Sequence, residues 1–197
     1  MQSVCVFCGS SSRALESYFE AARRAGAEIA RRGLRLVYGG ASVGLMGALA
    51  DAALEAGGIV IGVIPRALVN QEVAHPRLTE QHVVESMHDR KALMGQLSDA
   101  FLALPGGLGT LDELFETLTW AQLGFHHKPV GLLNVAGYFD LLLAFLDRAV
   151  EDGFLHPAHR AMIHSGLDPA SLLNAMRSHE PPSAGKWWLR PEERPGS

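Results

Sequence analysis

Ala100-Phe-Leu-Ala-Leu-Pro-Gly-Gly-Leu-Gly-Thr-Leu-Asp-Glu-Leu-Phe-Glu116 decides how the chain folds. Ala100 to Leu104 is a short apolar run of the kind that forms a buried strand. Pro105 stops it, because proline has no N–H to give a sheet. Gly106, Gly107 and Gly109 permit turns and close approaches that a Cβ would block. From Leu111 the apolar residues recur at Leu114, Phe115, Leu118 and Ala121, which predicts a helix with Thr110 as its cap. Strand, glycine turn and helix start together make an anion site, since free N–H groups and the positive helix end face outward. Glu113 is the unusual part: a carboxylate one turn inside a helix whose mouth attracts phosphate.

Taken alone, the glycine pattern is a weak signal. It also fits a tight turn followed by an acidic first helical turn, which acids favour anyway. It lacks the Gly-Lys-Ser/Thr ending of one phosphate loop and the third glycine of the dinucleotide fingerprint.

Working outward, two more glycine turns follow strand-like runs. Val4 to Cys8 leads into Gly9-Ser-Ser-Ser12, and Leu34 to Tyr38 into Gly39-Gly40-Ala-Ser-Val-Gly44. Helices are predicted over 13–32, 45–56, 89–97, 138–150 and from Pro169 with Asp168 as cap. Further strands are predicted over 59–64, at 83–84, over 129–133 and at 162–164, with 66–82 irregular. Continuous apolar strands alternating with helices indicate a parallel sheet covered on both faces. The expected fold is therefore a single-domain, Rossmann-like doubly wound α/β sheet over residues 1–180. Residues 181–197, rich in Pro, Gly and charge, are expected to form a loose tail in which Trp187 and Trp188 pack on the body or on a partner. Ligands of such sheets bind beyond the carboxyl ends of the strands, where all three glycine turns should meet.

The 197 residues are 48% hydrophobic, enough for a domain burying roughly 70% of its unfolded surface. A net charge of −4 without a basic face argues against nucleic-acid binding. No apolar run reaches the roughly 18 residues that span a bilayer, so no membrane partner is expected. The start lacks the regions of a signal peptide, which suggests the cytoplasm. Cys5 and Cys8 stand without the second pair or spaced histidines that zinc requires, so they read as packing residues and no metal is expected.

Arg90 and Lys91 sit side by side at the start of a helix, where cations oppose the dipole. By themselves they are a surface charge pair; beside an anion cradle they can hold a phosphate or a polar base. The pairing of Met87-His-x-Arg-Lys91 with Pro105-Gly-Gly-x-Gly-Thr-x-x-Glu113 resembles the Lonely Guy family, cytokinin-activating phosphoribohydrolases often mislabelled lysine decarboxylases. The likeness extends through Cys5-Val-Phe-Cys-Gly-Ser10, Tyr38-Gly-Gly40, Gly44-Leu-Met-Gly47, Thr119-Trp-Ala-Gln-Leu-Gly124 and Lys128-Pro-Val-Gly-Leu-Leu-Asn134. It departs at Asp112, where many relatives carry glutamate.

The resemblance implies hydrolysis of the N-glycosidic bond of a nucleoside 5′-monophosphate, giving free base and ribose 5-phosphate. It marks Arg90 and Glu113 as catalytic. Substrate contacts fall on Glu72, Lys91, Gly107, Leu108, Gly109, Thr110, Leu111, Asp112 and Thr119. It also implies a homodimer whose interface lies near the sites. The residues agree with this chemistry: breaking a ribosyl C–N bond builds positive charge on the sugar, which a carboxylate stabilises. The other reading is a nucleotide or cofactor carrier of the same fold with little turnover.

The remaining polar residues read as structural. His126-His127 suits a helix end, and His156 and His159 have no carboxylate at metal spacing. Ser10 to Ser12 lack a nucleophile elbow. Lys91 and Lys128 have no context for a Schiff base, and the dinucleotide fingerprint is incomplete, so no cofactor is expected.

Overall fold

The apolar runs become strands of one sheet in a computed structural model that describes residues 1–69 and 74–181. In the first half β1 (Ser3–Phe7), α1 (Glu16–Arg31), β2 (Arg35–Tyr38), α2 (Gly44–Glu55) and β3 (Val60–Pro65) follow in turn. A short 3-10 turn, Arg66–Leu68, precedes β4 (Glu80–Val84) and α3 (Met87–Gln96). The second half contains β5 (Ala100–Ala103), α4 (Leu108–Gln122), β6 (Val130–Leu133), α5 (Asp140–Glu151), α6 (Pro157–Arg160), β7 (Ile163–Gly166) and α7 (Pro169–Arg177).

All neighbouring strands pair parallel, in the order β4-β3-β2-β1-β5-β6-β7. The order reverses direction between β1 and β5, the switch point at which a doubly wound sheet leaves a crevice for ligands. Side chains alternate across the sheet with the period of two expected of strands. From β1, Val4 and Val6 pack with α1, α2 and α7 on one face, while Cys5 and Phe7 pack with α3, α4 and α5 on the other. Helices α1 and α2 cross closely, since a Cβ at Gly26 would collide with the Leu49 carbonyl. This is the Rossmann-like sheet expected.

Several boundaries differ from expectation for physical reasons. Residues 9–15 stay outside α1, which begins at Glu16 rather than Arg13. Strand β4 is longer than Val83-Val84; its start, Glu80-Gln81-His82, is polar because the strand lies at the sheet edge and is half in solvent. Helix α4 starts at Leu108, not Leu111, and its N-cap residue is Gly107. Thr110 is therefore not a cap; it is buried in the first turn against Gly106. Asp168 does cap α7, accepting from the Ser171 N–H at 3.0 Å.

Candidate functional site

Main-chain hydrogen bonds knit the three glycine turns together beyond the strand ends. Leu104 N–H donates to the Phe7 carbonyl at 2.9 Å, Gly9 N–H to Pro105 at 3.1 Å and Leu45 N–H to Gly9 at 3.0 Å. Two glycines are demanded by this packing. A Cβ on Gly44 would strike the Ser10 main chain, and one on Gly106 would strike Thr110 and lie 2.9 Å from the Gly9 nitrogen. Gly44 also has a positive φ of 61°, which favours glycine. Tyr138 pins the turn from outside, its hydroxyl donating to the Gly106 carbonyl at 2.5 Å.

Gly107 and Gly109 differ from these. A Cβ at either would meet no protein atom within 4 Å, so the fold does not require them to be bare. They face open space at the N-terminus of a 15-residue helix, and Leu108 between them is 88% exposed. Bare backbone N–H groups at a helix start suit an anion approaching from solvent.

Arg90, on α3, is 5% exposed. Its guanidinium donates to the Gly39 carbonyl at the end of β2, 3.3 Å away, and approaches the Met87 sulfur at 3.7 Å. Glu113 lies on α4, about one and two-thirds turns in from Gly107. The two charges meet electrostatically at β1. Burial pushes the Cys5 and Cys8 thiols well above their ordinary range; the Glu113 carboxylate adds to the rise and Arg90 opposes it at both. Glu113 and Arg90 thus act with opposite sign on the same two buried thiols, Cys5 within β1 and Cys8 just beyond it. Both cysteines are buried and unreactive on that account.

Lys91 faces α4, with its Nζ 3.0 Å from Asp112 and 3.1 Å from Glu116. Burial lowers its pKa, but the hydrogen bonds and charges of the two carboxylates outweigh this, so it stays protonated more firmly than usual. Thr119 is not gathered with Arg90 and Glu113. It lies about 9 Å beyond Glu113 along the helix axis, and its hydroxyl donates to the Phe115 carbonyl at 2.7 Å. Leu111 packs into the core beside α3 and α5. Glu72 lies outside the described residues, as do Trp187 and Trp188.

His126 and His156 make local main-chain contacts. His126 Nε2 is 3.1 Å from the Thr117 carbonyl, and His156 accepts from the Ala158 N–H at 3.1 Å. Lys128 donates to the Gly95 carbonyl at 2.7 Å, near the end of α3. Two contributors carried no signal in the sequence. Tyr138 is 32 positions from the glycine it holds. His75 is buried, donates its N–H to Gly40 at 2.9 Å and sits 3.3 Å from Asp51, tying residues 74–77 to the second turn.

A family model described as possible lysine decarboxylase matches residues 46–176. A probable cytokinin riboside 5′-monophosphate phosphoribohydrolase of Oryza sativa subsp. japonica is 54% identical over 178 residues, covering 90% of this chain and 78% of that one. The chain belongs to the Lonely Guy family. A second Lonely Guy relative, a cytokinin riboside 5′-monophosphate phosphoribohydrolase of Arabidopsis thaliana, is 50% identical over 92% of this chain and 80% of its own. Among solved structures, the molybdenum cofactor carrier protein of Chlamydomonas reinhardtii superposes with a TM-score of 0.68 at 25% identity, covering 89% of this chain and 95% of that one. The Lonely Guy fold is thus shared with a carrier, while the much closer sequence kinship is to enzymes.

Proposed function

We propose that this protein is a nucleoside 5′-monophosphate phosphoribohydrolase. It cleaves the N-glycosidic bond of N6-substituted adenosine 5′-monophosphates, and of AMP, releasing the base and ribose 5-phosphate, with residues 1–180 as the catalytic unit. The observation that carries this reading is the placement of Glu113 in the helix that starts at the glycine turn, with its charge and that of Arg90 both acting on the buried thiols of Cys5 and Cys8. Capture of phosphate alone has no use for a carboxylate there. The kinship at 50–54% identity to phosphoribohydrolases points the same way.

In this reading the nucleotide lies along α4. Its phosphate takes the N–H groups of Gly107 to Gly109, its sugar faces Glu113 and its base extends toward Thr119. As the C1′–N bond breaks, positive charge grows on the sugar, and Glu113 stabilises it and orients the attacking water. Water oxygen bonds to C1′, and its proton balances the departing base. Arg90 offsets the negative charge developing on that base. Phosphate binding, remote from the reacting bond, serves to place C1′.

The reading includes a cytoplasmic homodimer. Leu141 and Phe145 on α5 and Phe115 on α4 leave apolar surface exposed, and two unpaired cysteines suit a reducing compartment. Light scattering would give the mass.

The deciding experiment incubates purified protein with AMP and with isopentenyladenosine 5′-monophosphate and follows free base by chromatography. Glu113→Gln and Arg90→Ala should each lower release by about 100-fold or more. Full activity in either variant removes that residue from catalysis. Stoichiometric nucleotide binding without turnover would favour the second reading, a carrier, which the likeness to the molybdenum cofactor carrier supports.

A further inference from the structure

Beyond the ends of β1 and β5 lies a cavity of about 420 Å³. Ser10, Ser11, Arg13, Tyr18, Gly107 and Tyr138 line it. One wall is aromatic, with Tyr18 and Tyr138 meeting edge to face at 5.5 Å. The other is polar and held in place: Ser11 Oγ accepts from the Arg13 N–H at 3.2 Å, and Gly44 packs directly against Ser10. The late start of α1 has its explanation here, because residues 9–15 wrap this cavity instead of entering the helix.

The charges beside the proposed nucleotide path are out of balance. Arg90 and Lys91 contribute two positive charges, against three negative ones on Asp112, Glu113 and Glu116. Lys91 is already held by two carboxylates. A phosphate monoester brings a further charge of about −1.5 to −2. Main-chain N–H groups alone would have to hold a dianion in a region whose side chains sum to negative. Arg13 lines the cavity at that point, and among the described residues it has no carboxylate partner.

We propose that Arg13, with the hydroxyls of Ser10 and Ser11, forms the cationic half of the phosphate subsite, across the cavity from the N–H groups of α4. The guanidinium fork matches two phosphate oxygens, and the hydroxyls donate to the third. This rests on the nucleotide reading of the site, but it requires binding only, not turnover.

The test is calorimetric titration of the full chain with ribose 5-phosphate and with inorganic phosphate, together with hydrolysis of AMP and adenosine. Arg13→Ala should weaken ribose 5-phosphate binding about 10- to 100-fold. It should reduce the selectivity for AMP over adenosine by a similar factor, through KM. Arg13→Lys should recover part of both, because it restores charge without the fork. Unchanged ribose 5-phosphate affinity in Arg13→Ala, or no binding by the unsubstituted protein, overturns the proposal. Arg13-dependent binding without any base release would keep this subsite and discard the hydrolase.

Discussion

Arg90 Nη2 donates to the main-chain carbonyl of Gly39 across 3.3 Å, so the turn that follows β2 aims a side chain of α3. A Cβ at Gly39 would overlap that guanidinium and crowd the Met46 methyl. Gly39→Ala should therefore move Arg90 without touching substrate. Base release should fall about 100-fold, as sub-ångström to ångström misplacements of catalytic groups do. Overpacking should cost about 1–3 kcal/mol. Turnover and thermal unfolding measured on the same sample check both effects, and a fully active variant would contradict the aiming role.

Gly109→Ala separates stability from function. The added methyl meets open space in the first turn of α4, where alanine is the better helix former by up to about 1 kcal/mol. The variant should melt no lower than the parent, yet KM for AMP should rise about tenfold as the methyl obstructs the phosphate's approach. Gly106→Ala should behave in the opposite manner and lose stability first, through its clash with Thr110.

Lys91→Ala would leave Asp112 and Glu116 uncompensated beside the substrate. An anionic nucleotide should then bind about tenfold more weakly, with the defect greatest at low ionic strength. A salt series of KM values reads this out directly; a defect independent of salt would point to lost packing instead.

Asp99 accepts hydrogen bonds from the N–H groups of Gln2, at 2.6 Å, and Ser3, at 3.1 Å, which hold its carboxyl below the usual carboxylate range. A pKa depressed by folding contributes stability above the unfolded value of about 3.9 and loses it as pH falls through the folded value. The melting temperatures of the parent and Asp99→Asn should differ at neutral pH and draw together as pH falls below about 4, meeting only below the depressed folded value. A gap that persists in acid would show that the carboxylate charge is not what holds the first strand.

The alternation of elements was legible because a parallel sheet buries both faces of its strands, leaving apolar runs such as Val60 to Ile64 with little ambiguity. Strand β4 was only half legible, since an edge strand carries polar residues and Glu80-Gln81-His82 reads as loop. The start of α4 was misplaced because Gly107 and Gly109 are poor helix formers, set by what approaches them rather than by the helix. At the candidate site, Arg90, Lys91 and Glu113 stand in short motifs and could be picked out as a line of text. Tyr138, His75 and the carbonyl of Gly39 act through contacts that only the folded chain brings together.

The pairing of β1 with β5 joins Val4 to Ala100, whereas β1 meets its other neighbour, β2, through Ser3 and Arg35. During synthesis, then, the first strand can acquire one partner early and must wait for most of a hundred residues to emerge before it acquires the second. Until that happens one side of the central strand is an unmatched row of amide groups, open to invasion by another nascent copy. The crevice where the substrate is expected to lie is also the seam that joins the two halves of the sheet, so a ribosomal pause before residue 100 would prolong the vulnerable interval.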